Sequence, residues 1–388
     1  MTTSAARLER YAFWLITLCL GVVQFNLLTA QTLFGLAAIA WLVLTIRTGQ
    51  HPPLPAWFRP LVVYAALTVA SALGSGNRVA SLIDCKQLVL FLMVPIVVRV
   101  ARGNRPMRTL NVVIALGSVG ALVGLAEYFL MAHTEDYRPT GLLSHYMTYS
   151  GVLMLVTCAA AARLLFPAGQ IAWPAVAVPA LLLALIVTRT RNAWIGTLAG
   201  ISTLLGARRR RLLMSVPVLV ALFLLLAPEH IRDRAYSIVN PHDPTNQDRI
   251  VMLHMGWDMV RDHPWLGVGP DQVKVVYAQY RQKYPQAVNP TNPHLHNVPV
   301  QIAAERGLPA LAAWLWFVAV AFRGLVRQIG RGETPALTAA ALAALVAMLL
   351  AGLFEYNFGD SEFLMLFLGL LTLPAAAASG LQSRTIGA

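Results

Sequence analysis

Apolar runs of roughly 20 residues recur along almost the whole of this chain, and no other feature restricts its fold as tightly. A helix rises 1.5 Å per residue, so about 20 apolar residues cross a hydrocarbon core about 30 Å thick. Twelve runs qualify, near residues 11–27, 29–46, 57–74, 80–98, 109–132, 145–165, 170–188, 192–206, 212–227, 308–327, 335–354 and 361–379, the eighth and ninth being short. Only 12% of the 388 residues are charged, against roughly 25% in a soluble domain. Lipid offers no partner to a backbone amide, so such runs cross as helices. The expected fold class is an all-α integral membrane protein with about 12 transmembrane helices. The first run follows Arg7 and Arg10 with no small-residue cleavage site behind it, and it reads as a retained span.

A net charge of +13 would ordinarily suggest nucleic acid. Placed on the spans, the charges say otherwise. With the N-terminus inside, the cytoplasmic ends carry Arg7, Arg10, Arg47, Arg59, Arg99, Arg102, Arg105, Arg108, Arg163, Arg208 to Arg211, Arg323, Arg327, Arg331 and Arg384, against Glu9 and Glu333. The short outer loops hold only Arg78, Arg138, Arg189 and Arg191. That asymmetry is the positive-inside bias. It predicts cytoplasmic termini and membrane lipid, not nucleic acid, as the surroundings. Cys19, Cys85 and Cys158 all lie in apolar runs, which offers neither a disulfide framework nor a metal site.

The one shift in composition divides the chain into 1–227 (spans one to nine), 228–307 (a large outer loop) and 308–388 (spans ten to twelve). The loop balances eight Lys/Arg with eight Asp/Glu and contains Trp257, Trp265 and four tyrosines. A connection this long is functional or disordered, and its helical patterning argues for order. Thr245 and Asp248 resemble a capping box, with Ile250, Leu253, Trp257 and Val260 on one face of a first helix. Asp271 is placed to cap a second helix bearing Val273, Val276, Tyr277 and Tyr280. A third is expected from Asn297 to Arg306, with Gly307 as a stop or kink. Faces this apolar suit helices lying on the membrane surface or a packed cap on the bundle.

Three groups of residues have chemistry to offer. His294-Leu295-His296-Asn297 opens the third loop helix, whose positive end favours a neutral imidazole able to take a proton. An ordinary polar loop is the competing reading. Two histidines at i and i+2 point apart in a helical turn, and no nearby carboxylate completes a metal shell, so no metal is expected. The second group, Thr188-Arg189-Thr190-Arg191-Asn192-Ala193-Trp194, puts two arginines on the outer side against the charge bias. A guanidinium matches phosphate oxygens; snorkelling or a salt bridge to the loop's acids is the alternative. Third is Arg249, followed by His263-Pro264-Trp265-Leu266-Gly267-Val268-Gly269-Pro270, whose glycines and prolines dictate a tight turn. Asp84 and Lys86 in the fourth span are further suspects, as ionisable groups at membrane depth. No DxD pair follows Asp248 in the loop, which argues against a metal-bound nucleotide-sugar donor.

These residues carry a resemblance. TRTRNAW, Arg249, HPWLGVGP and a His296-Asn297 pair followed nine residues later by Gly307-Leu308-Pro309-Ala310 resemble the O-antigen ligase family of bacterial envelope proteins. The motifs cover roughly residues 185–310. The family pattern ends in G-x-x-G, and Ala310 replaces its last glycine. The resemblance implies the helical bundle of lipid-carrier glycosyltransferases, set in the bacterial inner membrane with its site facing the periplasm. It also implies metal-independent, inverting transfer of a glycan from undecaprenyl pyrophosphate to a sugar hydroxyl of lipid A-core, without a cofactor. His296 and Arg191 would be catalytic. Arg249 would be the second essential basic residue, at the substrate. Apart from the resemblance, Arg189, Asn297, His294 and Lys86 are the further substrate-binding candidates that the residues themselves offer. An O-antigen polymerase uses the same donor. A flippase would need polar groups through the bilayer or symmetric halves, and neither stands out here.

Overall fold

The computed structural model describes residues 3–131, 137–167, 173–287, 289 and 291–385. Helices account for all its regular structure, with no strand among the described residues. In chain order they are α1 (Thr3–Val22), α2 (Leu27–Thr48), α3 (Phe58–Gly74), α4 (Arg78–Asp84), α5 (Met93–Val100), α6 (Arg105–Met131), α7 (Tyr146–Leu165), α8 (Pro174–Val187), α9 (Arg191–Arg208) and α10 (Ser215–Leu226). Then follow α11 (Glu229–Tyr236), α12 (Pro244–Asp262), α13 (Val273–Arg281), α14 (Val298–Gly330), α15 (Pro335–Ala351) and α16 (Ser361–Thr385).

Among the described residues, six segments are long and apolar enough to cross a bilayer: α2, the Arg78–Val100 segment, α6, α7, α14 and Ser361–Ser379 of α16. Three shorter apolar helices, α3, α8 and α15, lie among them. The expected fourth span is not one α-helix. A 3-10 stretch, Cys85–Leu92, separates α4 from α5, and Pro95 sits in the first turn of α5, where its missing N–H is tolerated. The start of the seventh expected span, 170–172, lies outside the described residues.

The bundle is tightest where side chains are smallest. The polyalanine tracts of α7 and α15 are almost wholly buried. Gly196 and Gly200 of α9 leave room for the backbone of α15 at Ala347 and Ala343, the close approach that drives helix association where lipid removes the hydrophobic incentive.

The segment between α10 and α14 forms an ordered cap with a core of its own. Val251, Met252, Met255 and Met259 of α12 pack on Val273, Tyr277 and Tyr280 of α13 and on Leu295 and Ala304 near the start of α14. The outcome for α13 matches its sequence pattern, whereas of the face expected for α12 Val260 is buried in the cap core and the rest is not. Ile250, Leu253 and Trp257 are exposed, because α12 is apolar on two sides and the methionine side meets α13 and α14. Its N-cap is Asp243, whose carboxylate accepts from Thr245 and Asn246 N–H, with Pro244 at the first helical position. Asp248 instead accepts from the Asn289 amide at 2.7 Å. Asp271 adopts a left-handed backbone (φ 60°) and Gln272 precedes α13, so the expected Asp271 cap does not form.

The expected third loop helix and tenth span form a single rod, α14, interrupted at Gly307 (φ 81°, ψ 167°). The 263–270 turn docks into that interruption: Val268 and Gly269 N–H donate to Ala304 and Glu305 carbonyls at 2.8 and 2.9 Å, and Leu308 N–H to Pro264 O at 2.8 Å. A Cβ on Gly307 or Gly267 would overlap the opposing backbone, so both positions require glycine sterically as well as for their positive φ. Ser71 of α3 donates to Leu266 O and Glu305 O, pinning the turn to the bundle.

Candidate functional site

Two loops meet where α15 ends and α14 begins. The Val298 N–H donates to Gly352 O at 2.7 Å, and the Asn297 amide to Leu353 O at 3.0 Å. The Asn297 carbonyl oxygen caps α14 through Val300 N–H at 2.9 Å. Asn297 is thus buried and committed at both ends of its amide, a fastening between two helix ends. One residue earlier His296 takes a left-handed backbone (φ 49°), a conformation that costs a residue other than glycine about 1–3 kcal/mol and recurs at functional sites.

That twist corrects the expectation that the two histidines diverge. Residues 294–296 precede the helix, so helical geometry does not separate their side chains, and the ring centroids lie 4.4 Å apart. Between them stands Glu355, from the loop joining α15 to α16. His296 Nδ1 lies 2.9 Å from one carboxylate oxygen and His294 Nε2 2.8 Å from the other. The Tyr356 N–H adds a third bond at 3.0 Å. Burial pushes the Glu355 pKa up, but the hydrogen bonds and charges of His294 and His296 outweigh it and hold the carboxyl far below the usual range. Glu355 is an ionised acceptor here. With Nδ1–H turned to Glu355, the His296 Nε2 is the tautomeric lone pair left for other work.

His296 also lines a cavity of about 270 Å³ together with Arg249, Asn246, Val239, Leu353 and Phe354. Arg249 makes no hydrogen bond or ion pair to any described residue. Burial lowers its pKa, with Glu355 opposing and Arg191 adding to the fall. The pocket therefore sets an uncommitted guanidinium beside an imidazole, between apolar walls.

Arg191 does not line this pocket. It begins α9, nearly buried, and donates to the Ser237 carbonyl and hydroxyl at 2.9 Å and to the Asp243 carboxylate at 3.2 Å. Burial raises the Asp243 pKa, but Arg191 and the Asn246 N–H bring it below the ordinary value. Arg191 makes the salt bridge to a loop acid that was the alternative to a phosphate role, and the bridge ties α9 to the turn that walls the pocket. Arg189, at φ 51°, donates to Tyr137 O at 3.0 Å, while its own carbonyl accepts from Arg234 Nε at 3.2 Å. Lys86 is exposed, forms no hydrogen bond or ion pair among the described residues, and stands apart from the pocket. Its neighbour Asp84 pairs with Arg306 at 3.5 Å.

The donor atoms of His294, His296 and Glu355 lie within 4.8 Å of one another, so these three residues form a candidate cation site as well as a hydrogen-bonded triad. The expectation that no carboxylate stands near the histidines is corrected by Glu355. Sequence reading missed it because the residue lies 59 positions from His296. A signal was present: an acid just beyond a polyalanine span is a functional suspect by default.

Residues 175–315, from α8 into α14, match the family model described as O-antigen ligase. That segment is what this chain shares with the O-antigen ligase family. The matched region contains Arg191, Arg249, His294 and His296, but ends before Glu355. Comparison with curated proteins gave no match.

Proposed function

We propose that this chain is an O-antigen ligase, and that it transfers a glycan from undecaprenyl pyrophosphate to a sugar hydroxyl of lipid A-core, inverting the anomeric centre on the periplasmic face of the inner membrane. Twelve crossings with both termini cytoplasmic remain the proposed topology. The positive-inside charge bias supports it, and it places the cap and pocket outside. The single observation that carries the mechanism is His296, oriented by the ionised Glu355 and opening on the same cavity as the unpaired Arg249.

In this reading His296 Nε2 removes the proton of the acceptor hydroxyl as its oxygen bonds to the anomeric carbon. The bond from that carbon to the pyrophosphate oxygen breaks on the opposite face, and its electron pair leaves with the phosphate. Arg249 stabilises the charge arriving there. Glu355 fixes the tautomer and offsets the positive charge on His296. His294 braces Glu355 from the other side.

The test is initial-rate transfer by the purified chain with lipid-linked glycan and lipid A-core. A positioned base contributes about 10²–10⁴-fold, so His296→Ala should lose that much and His296→Gln nearly as much, at normal expression. Chelators should leave wild-type rates unchanged, since the three-residue cluster is here a proton-handling triad. Normal turnover in His296→Gln, or loss of activity on chelation, would sink the reading. Growth of glycan on a second lipid-linked donor instead of on lipid A-core would make the chain a polymerase.

A further inference from the structure

Two histidines gripping one carboxylate are spaced to hold something larger than a proton. His294 Nε2 and His296 Nδ1 each face a different oxygen of Glu355, at 2.8 and 2.9 Å. All three residues have a donor atom within 4.8 Å of the other two. A tetrahedral zinc ion with bonds of about 2.0–2.1 Å holds its ligand atoms about 3.3 Å apart. An ion between these residues therefore asks for side-chain shifts of only about 1 Å. The histidine side chains are 28% and 16% exposed, which leaves them room to make those shifts. The Tyr356 N–H holds the carboxylate at 3.0 Å, the kind of outer bond that orients a metal-ligating group.

The donor set decides the class of ion. Two imidazoles and a carboxylate suit zinc and its transition-metal neighbours, whereas magnesium and calcium take oxygen ligands. Three protein ligands leave a fourth position for water, and the cavity that His296 lines gives the ion its way in.

A metal here changes the ring it binds. A neutral imidazole carries one proton. In the metal-free triad that proton sits on His296 Nδ1, facing Glu355, and Nε2 keeps its lone pair. A metal takes the lone pair of Nδ1 instead. The proton then moves to Nε2, and the ring no longer accepts one there.

We propose that His294, His296 and Glu355 form an inhibitory zinc site, in which an ion on His296 Nδ1 silences the ring as a base. The effect on turnover rests on the general-base reading above; the binding itself does not. Transfer needs no metal, and the ion acts as a reversible inhibitor.

Zinc chloride added to the purified, tag-free full chain after chelator treatment tests both halves, with calorimetry reading binding and initial-rate transfer reading inhibition. Zinc should bind and lower transfer at least about tenfold, and EDTA should restore the rate. Magnesium and calcium should do neither. Losing a direct ligand should cost at least what losing an outer partner does, so His294→Ala and Glu355→Gln should each weaken zinc by about tenfold or more. The half-inhibitory zinc concentration in His294→Ala, taken against its own metal-free rate, should rise by a like factor. His230→Ala, at an exposed histidine of α11, should alter neither reading. Wild-type zinc affinity in folded His294→Ala and Glu355→Gln would overturn the site. If His294→Ala does not fold, His294→Gln keeps most of the volume without the imidazole, and wild-type affinity there counts equally against the proposal. Absence of zinc binding would overturn the site alone and leave catalysis to the His296→Gln test. Zinc held by the cluster with transfer undiminished or faster would overturn the inhibition, and with it the base reading.

Discussion

Replacing Glu355 by glutamine removes one charge and almost no volume, and the structure fixes what that should do. The carboxylate is 9% exposed and meets His296 at 2.9 Å and His294 at 2.8 Å, so solvent screens these contacts little. A hydrogen bond to a charged partner contributes about 1.5–3 kcal/mol net. Only the bond to His296 acts on the ring that takes the proton, and its loss at the imidazolium stage corresponds to a rate factor of about 10–150. Glutamine can do further harm. If its amide N–H turns toward His296 Nδ1, the ring must carry its proton on Nε2 and ceases to be a base. The loss then approaches the 10²–10⁴-fold of a missing base.

The assay is kcat and KM for transfer, at matched protein level, with size exclusion and thermal unfolding to establish that the variant folds. Glu355→Gln should lower kcat at least about tenfold and leave KM for the donor nearly unchanged, since Glu355 is not among the residues lining the pocket. Glu355→Asp keeps the charge on a shorter stem and should fall between. Folded Glu355→Gln turning over within about twofold of wild type would refute the triad, because a factor that small is below what one charged hydrogen bond contributes.

Arg191 and Asp243 should behave as one unit: Arg191→Ala and Asp243→Asn should each impair transfer, and the double variant should be little worse than the poorer single, read as a double-mutant cycle. Full additivity would show that Arg191 works independently of the loop. Gly267→Ala should destabilise by at least about 1–3 kcal/mol from its backbone conformation alone, with more from overlap with Glu305, seen as a lower Tm or loss of folded protein. Three carboxyls of the outer loops set the pH dependence: the pKa values of Glu355 and Asp243 are lowered in the folded chain, whereas burial raises that of Glu305 to about 7. The two lowered groups contribute stability that is complete above their ordinary values near pH 4 and lost as pH falls through the folded values. Glu305 acts with the opposite sign, costing stability as pH rises from its ordinary value through about 7. Tm should therefore drop below about pH 4 and decline again towards pH 7; in Asp243→Asn the acid-side drop should be smaller.

What the sequence disclosed and what it concealed divide along the range of the interactions involved. The helix start near Asn297, the break at Gly307 and the turn at 263–270 were legible, since each is decided by residues within a few positions. The apolar runs were legible for the same reason: span length and hydropathy are local sums. The choice of α12 face was not, because both faces are apolar and only the arrival of α13 and α14 selects the methionine side. Glu355 was hidden by the same kind of gap. Its partners lie 59 and 61 residues away, and the helices that bring them together, α14 and α15, are joined through tertiary contacts such as Val298 N–H to Gly352 O. Arg191 shows the converse case: its residue type suggested phosphate, but a nearby carboxylate claimed it. A guanidinium identified by motif is therefore a candidate for two tasks, and the distance to the nearest acid decides between them. By that measure Arg249, with no ion-pair partner among the described residues, is the cation that the proposed mechanism assigns to the donor, while Arg191 ties α9 to the turn that walls the pocket.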